Sequence, residues 1–220
     1  MIDTELPFAN RRDAGRRLAA TLAPLGLADP VILALPRGGV PVAYEIARRL
    51  HAPLDILIAR KIGAPGHEEY GIGAIVDGSA PQLVLDEQAA RASGADTAYI
   101  EREVARQLDE IERRRSAYHV GEPVPLAGRN LILVDDGIAT GGTVRVALKA
   151  LASAGARSVT LAVPVAPASV FSELRKMCDR IVVLAVPEPF FAVGAHYRDF
   201  SQTGDAEVRA LLESARSGVP

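Results

Sequence analysis

Residues 131–143 read Leu-Ile-Leu-Val-Asp-Asp-Gly-Ile-Ala-Thr-Gly-Gly-Thr, and no other segment of the chain gathers so much chemistry. An apolar run ends at two adjacent carboxylates, Asp135 and Asp136. A loop of small residues follows, and a helix is expected from about Thr143. Gly141 and Gly142 allow backbone amides to approach an anion closely. A helix starting near Thr143 adds the positive end of its dipole, and Thr140 and Thr143 add hydroxyl donors. Ala139, Thr140, Gly141, Gly142 and Thr143 therefore form a phosphate cradle on chemical grounds. The two acids would repel a phosphate, so they should meet another part of the ligand. Carboxylates accept hydrogen bonds and donate none, which suits neighbouring sugar hydroxyls. Successive strand residues point to opposite faces, so both acids reach one sugar only if the chain bends, and Gly137 permits that. The implied ligand is a ribose 5-phosphate unit lying along the loop.

Competing phosphate and hydrolase motifs are missing. Gly137–Thr143 spells G-x-x-x-x-G-T and lacks the lysine of a nucleoside-triphosphatase loop. No G-x-G-x-x-G opens a helix after a strand, and no G-x-S-x-G offers an esterase nucleophile. The single Cys178 rules out an intrachain disulfide and a cysteine metal cluster. His51, His119 and His196 show no ligand spacing, so no protein-held metal is expected. With 25 basic and 27 acidic residues, a net charge of −2 and a pI near 6.1, the chain is not built to coat a polyanion, and no nucleic-acid partner is expected. The longest apolar runs, such as Ile181–Val186, are far shorter than the roughly 20 residues of a membrane helix. The acidic start followed by arginines does not resemble a signal peptide. A lone cysteine suits a reducing compartment, so the expectation is a cytoplasmic protein with no membrane partner.

The elements that must position the acids can be read from periodicity. A helix is expected from about Asn10, with Leu18 and Leu22 on one face and a stop at Pro24 and Gly26. Val31–Leu35 reads as a buried strand leading into the tight loop Pro36-Arg37-Gly38-Gly39, and Pro41–Leu50 as a helix. Leu54–Ala59 reads as a strand, followed by a glycine-rich loop over Lys61–Gly73. Ile72–Val76 and Gln82–Leu85 read as a hairpin around Asp77-Gly78-Ser79. Asp96–Tyr118 reads as one long helix with Ile100, Val104, Leu108 and Ile111 as its apolar stripe. Leu131–Val134, Ser158–Val163 and Ile181–Val186 complete the strands, with helices over Thr143–Ala154, Ala168–Met177 and Asp205–Ser214. Strands alternating with helices indicate an α/β fold with an open, mainly parallel twisted sheet covered on both faces. The 220 residues fit one domain, with a core over about 30–186 and a small hood from about 187–220 to which the N-terminal segment would add.

The segment Val134–Thr143, with its acid pair and A-T-G-G-T loop, resembles the phosphoribosyl diphosphate (PRPP) signature of the type I phosphoribosyltransferases. Gly137 departs from the pattern, since an aliphatic residue is usual there. The departure removes no ligand group. The resemblance implies that Asp135 and Asp136 hold the ribose hydroxyls and favour a cationic ring, and that residues 139–143 bind the 5-phosphate. Pro36, Arg37, Gly38 and Gly39 resemble the diphosphate loop, which in this family often contains a cis non-proline peptide, here Pro36–Arg37. The segment Arg60–Gly71 takes the place of the mobile active-site loop. Arg60 and Lys61 would neutralise the departing diphosphate, and Glu69 would orient or protonate the base. His67 is either a donor of that lid or a surface residue.

For the acceptor, the family uses a variable hood. The window Glu188–Phe200 holds Phe190, Phe191, Tyr197 and Phe200, four of the ten Phe and Tyr residues. Phe190, Phe191 and Tyr197 are candidates to stack on a planar base, the alternative being that they cap the apolar end of the sheet. Ala139 is neutral where hypoxanthine-type members carry an acid, which counts against a 6-oxopurine acceptor. The reaction implied is phosphoribosyl transfer from PRPP to a nitrogen of a heterocyclic acceptor, with Mg²⁺ carried mainly on the diphosphate. The alternatives are a non-catalytic PRPP- or nucleotide-binding regulator and, more weakly, a hydrolase on the same cradle. The long charged helix Asp96–Tyr118 packs either on the sheet or on a second subunit, and a homodimer is expected.

Overall fold

The computed structural model describes residues 6–77, 81–118 and 121–218, with the backbone alone of Glu69. The first half of the chain runs α1 (Arg11–Leu22), β1 (Pro30–Ala34), α2 (Gly39–Leu50) and β2 (Leu54–Ile56). It continues through β3 (Ala59–Ala64), β4 (His67–Val76), β5 (Gln82–Leu85), α3 (Glu87–Ala92) and α4 (Thr97–Ala117). The second half runs β6 (Asn130–Val134), α5 (Gly142–Ala152), β7 (Ser158–Val165), α6 (Phe171–Leu174), β8 (Arg180–Ala185) and α7 (Asp205–Ser217).

Five strands form a parallel sheet in the order β2-β1-β6-β7-β8. Alternation divides its side chains between two cores. Ile32, Ala34, Ile132, Val134 and Ala162 pack with Leu18, Ile46 and Val208 of α1, α2 and α7. Val31, Leu33, Leu131, Leu133 and Val163 pack with Val144, Ala147 and Leu148 of α5 on the other face. Apolar residues at nearly every strand position are what a sheet buried on both sides requires. The order also creates a switch point. β1 passes through α2 to β2 on one side, and β6 passes through α5 to β7 on the other. The loops after β1 and β6 therefore diverge from neighbouring strand ends, leaving a crevice where α/β sheets bind ligands.

The main correction concerns the expected glycine-rich loop. β3 and β4 are antiparallel partners, from Ala59 opposite Val76 to Ala64 opposite His67, and β5 adds a third strand. The segment is thus a hydrogen-bonded flap. Strand β2 stops at Ile56, earlier than expected, and the chain leaves the sheet through Leu57 and Ile58. Gly63 sits at a bulge where a Cβ would lie 2.6 Å from the Cα of Glu68, so glycine here allows two backbones to approach. Ile62, Ala64 and Ile72 give the flap an apolar face packed on Ala90 of α3 and on Tyr99, Ile100 and Val104 of α4. Helix α3 was not anticipated. Asp86 caps it by accepting from the amides of Gln88 and Ala89. The helix expected over Ala168–Met177 is a 3₁₀ turn followed by the single turn α6, and α7 continues to Ser217. The hairpin expected around residues 77–79 is present as the pairing of β4 with β5, while Gly78 and Ser79 lie outside the described residues.

Residues 8–9 join residues 196–199 in a hood built from both ends of the chain. The Phe8 amide donates to the His196 carbonyl, the Arg198 amide to the Phe8 carbonyl and the Asp199 amide to the Ala9 carbonyl. A buried ionic group fastens the flap root. Arg115 contacts Asp77 at 2.7 Å and Asp55 at 3.2 Å, and all three side chains are nearly inaccessible. Burial pushes the Asp77 carboxyl up to about 6, and Asp55 adds to this. Arg115 and the Ile58 amide oppose the shift. A carboxyl raised by folding contributes stability that is complete below its unfolded value and is lost as pH rises through its folded value. The melting temperature of the wild type, measured against Asp77→Asn, should therefore fall from about pH 4 to about pH 7 and then level off. A difference that rises over that interval would contradict the assignment.

Candidate active site

The loops after β1 and β6 meet backbone to backbone. A Cβ on Gly39 would lie 2.7 Å from the Val134 carbonyl oxygen and 3.1 Å from the Asp135 Cα. A Cβ on Gly38 would lie 2.1 Å from Asp136 Oδ2, so the carboxylate rests directly against that glycine. The peptide Pro36–Arg37 is cis, as anticipated. Through the close approach at Gly38 and Gly39, the loop over Pro36, Arg37, Gly38 and Gly39 lies beside the acid pair.

Gly38 and Gly141 also start helices. Helices α1, α3 and α4 are capped by Asn10, Asp86 and Asp96, whose side chains accept from first-turn amides. Helices α2 and α5 begin at Gly38 and Gly141 with no side chain on those amides. In α2 the Gly39 amide already donates to the Leu35 carbonyl and the Val40 amide to the Arg37 carbonyl, and Pro41 has none, so it is the first amides of α5 that are left for water or an anion. Gly141 adopts φ +78°, a left-handed conformation that favours glycine. Thr140 and Thr143 are exposed beside it, as is Ala139 on the loop. Gly137, the departure from the usual pattern, is explained by packing. A Cβ there would come within 2.5 Å of Val193 and 2.9 Å of Val165, so the hood occupies the space an aliphatic side chain would need.

The acids differ in their surroundings. Asp135 Oδ1 accepts from the Asp136 amide at 2.9 Å. Burial, reinforced by the neighbouring Asp136 charge, pushes the Asp135 carboxyl well above the ordinary range. Asp136 is raised by burial too, but the Arg11 guanidinium opposes this through a hydrogen bond and its charge. Arg11 Nε lies 2.8 Å from Asp136 Oδ2, its Nη1 donates to the Ser201 carbonyl at 2.7 Å, and its guanidinium stacks 3.8 Å from the Phe200 ring centroid. The Tyr197 hydroxyl donates to the Asp136 carbonyl oxygen at 2.5 Å. The hood therefore grips the acid pair from two directions. Sequence reading missed Arg11, because nothing in an arginine-rich N-terminus distinguishes it.

The remaining candidates divide. Arg37 Nη1 faces Asp205 at 3.4 Å, at the start of α7, and Tyr118 donates to the same carboxylate at 3.2 Å. Asp205 is a second partner that no local motif reveals. Lys61 and Thr143 line one cavity of about 1090 Å³ between the flap and α5, with Arg145 and Lys149 further along the helix. Arg60 takes the opposite face of β3, where its Nε donates to Gln107 of α4 at 3.0 Å. It is not on the side that Lys61 shares with the cradle. The Glu69 side chain lies outside the described residues. His67 is exposed at the flap tip. Phe190 packs on His196 with centroids 5.1 Å apart, and Tyr197 is buried between Phe8 and Phe200. Phe190, Tyr197 and Phe200 pack in or against the core on the α1 and α2 face of the sheet, and Phe191, at 84% exposure, is the one of the three stacking candidates left facing solvent.

Comparison with known proteins decides the family. A model of the phosphoribosyl transferase domain matches residues 9–198. The chain belongs to that family. Two Mycobacterium tuberculosis proteins, from strains CDC 1551 and H37Rv, are each 44% identical over 209 residues and are provisionally named phosphoribosyl transferases. The match spans 94% of this chain and 47% of each relative, so the chain spans about half the length of those curated relatives. The crystal structure of TT1426 from Thermus thermophilus is 46% identical and superposes with a TM-score of 0.82, covering 95% of this chain and 99% of that one.

Within this phosphoribosyl transferase domain, no three of His, Cys, Asp and Glu gather into a metal-holding group among the described residues. No described helix is long and apolar enough to cross a membrane. The pairing of Arg11 with Asp136 makes a direct prediction. Replacing Arg11 by Met removes the opposing charge, so the coupled titration of Asp135 and Asp136 should move to higher pH. Carboxyl carbon NMR reads this, and an unmoved titration would refute the electrostatic role of Arg11.

Proposed function

We propose that this chain transfers the 5-phosphoribosyl group from PRPP to a ring nitrogen of a nucleobase or similar heterocycle, releasing diphosphate. One observation carries the reading. The acid pair lies between the glycine-started helix α5 and the loop that leads into α2, with Asp136 seated against Gly38. A ligand with a phosphate at one end, a diol in the middle and a diphosphate at the other matches that order of groups.

In this reading the 5-phosphate lies on the amides of Gly141, Gly142 and Thr143 and on the hydroxyls of Thr140 and Thr143. Asp135 and Asp136 accept from the ribose hydroxyls. The C1–O bond to diphosphate breaks, the C1–N bond forms, and the proton of the acceptor nitrogen passes to the released diphosphate or to water. Positive charge grows on the ring and negative charge on the leaving group. The Asp135–Asp136 pair favours the first, and Arg37, the Gly38 amide and Lys61 favour the second. Arg37 would exchange its long contact with Asp205 for phosphate oxygens, to which its planar fork is suited. Mg²⁺ bound with PRPP would supply further charge neutralisation on the diphosphate. No side chain needs to form a covalent bond, and catalysis rests on positioning and charge. The exposed Phe191 ring is the stacking surface for the acceptor in this proposal, and Glu69 remains assigned to the base. A cytoplasmic homodimer completes the proposal.

A second reading, a PRPP-binding regulator without turnover, draws on Arg11, which already occupies one oxygen of Asp136. Diphosphate release from Mg-PRPP, measured with and without a panel of bases, separates the two. Release that depends on one base supports transfer, and tight PRPP binding with no release under any condition supports the regulator. Asp136→Asn should lower turnover more than about tenfold while the melting temperature stays near that of the wild type. Unchanged kinetics would remove the ribose assignment. Thr143→Val should weaken calorimetric affinity for ribose 5-phosphate by roughly tenfold, the scale of one lost hydrogen bond to a charged group. Equal affinity would contradict the cradle.

A further inference from the structure

Helix α4 is left without a task by the chemistry above, yet three polar ties bind it along the length of the flap. Near the flap tip the Tyr99 hydroxyl donates to the Gly63 carbonyl at 2.9 Å. Eight residues later, Gln107 accepts from Arg60 Nε at 3.0 Å. Eight residues further, Arg115 reaches the flap root. Each interval is about 12 Å along a helix axis, so the helix lies alongside the flap rather than touching it at one point. Gln107 and Arg115 are 4% and 7% exposed, which is unusual for such polar side chains.

The tie at Arg115 is the most connected. Its Nη1 donates to Asp77 Oδ2 at 2.7 Å and to the Ile56 carbonyl at 3.4 Å. Its Nη2 donates to Asp55 Oδ1 at 3.2 Å and to the Gly121 carbonyl at 3.4 Å. Asp77 in turn accepts from the Ile58 amide at 2.6 Å through Oδ1, and its own amide donates to the Ile58 carbonyl at 3.0 Å. Both legs of the flap and the edge strand β2 thus converge on one guanidinium. Alternation along β3 does the rest. Arg60 and Ile62 face α4, and Lys61 faces the cavity that it shares with Thr143.

We propose that α4 is the mooring that sets how closely the flap meets the phosphate cradle, and that Arg115 is a positioning residue acting on the ligand through Lys61. The part concerning ligand rests on the PRPP reading, whereas the mechanical part does not. A buried guanidinium between two buried carboxylates is costly to break, because removing it strands both charges. It therefore serves as a rigid joint. A hinged lid would carry small or solvated residues at its root.

The test uses Arg115→Lys, which keeps the charge but not the fork, and Asp77→Asn, which keeps the acceptor for Ile58 but not the charge. In either variant that folds, amide exchange in β3 and β4 should accelerate by about tenfold or more, with β1 and β6 unchanged. Calorimetry with Mg-PRPP should show affinity reduced by about tenfold in the wild-type background. The same substitution placed on Lys61→Ala should produce little further loss. Unaltered flap exchange, acceleration spread equally over β1 and β6, or fully additive losses with Lys61→Ala would each overturn the proposal. If the wild type binds no PRPP, the functional reading fails, and the exchange arm still decides the mooring. If neither variant folds, exchange in the wild type decides it. Flap and α4 amides opening with one common free energy, distinct from β1 and β6, support the mooring, and separate energies refute it.

Discussion

Asp136 lies against Gly38, and the geometry of the crevice depends on that contact and on the backbone approach at Gly39. The Oδ2 atom would be 2.1 Å from a Cβ on Gly38, and a Cβ on the neighbouring Gly39 would come within 2.7 Å of the Val134 carbonyl oxygen. The β1 and β6 loops can close on each other because both positions lack side chains. Their adjacency follows from the strand order, which places β1 beside β6 and sends their helices to opposite sides. A fold-level rule about switch points thereby becomes a specific arrangement, with a carboxylate placed at the start of α2.

That placement carries an electrostatic cost. Two adjacent carboxylates, both raised by burial, sit at a crevice suited to anions. The hood offsets part of the cost with Arg11, and it orients the backbone with the Tyr197 hydroxyl. Arg11 is itself held by the Ser201 carbonyl and by the Phe200 ring. The hood thus opposes, through Arg11, the upward push that burial gives the Asp136 carboxyl.

The flap poses a different mechanical problem. It carries Lys61 toward the cradle, but its strands lie outside the main sheet and need their own support. Its apolar face is small, so packing against α3 and α4 is supplemented by buried polar ties. The Arg115 group is expensive to desolvate, and its contribution is directional more than cohesive.

Local pattern was enough to reveal the parallel core and the small-residue loop that carries the acid pair. Apolar strands such as Leu131–Val134, followed at once by Asp135, Asp136 and a small-residue loop, carry their meaning within a dozen residues. The same local reading took Lys61–Gly73 for a loop, because its glycines look alike whether they provide flexibility or, like Gly63, permit two backbones to touch. Tertiary structure alone decided that Arg11 serves Asp136 across 125 positions, that Asp205 faces Arg37 across 168, and that Tyr197 reaches the Asp136 carbonyl rather than a base. An arginine or tyrosine can satisfy its donors in many ways, and only the surfaces that the packed sheet and helices bring together determine which partner it meets.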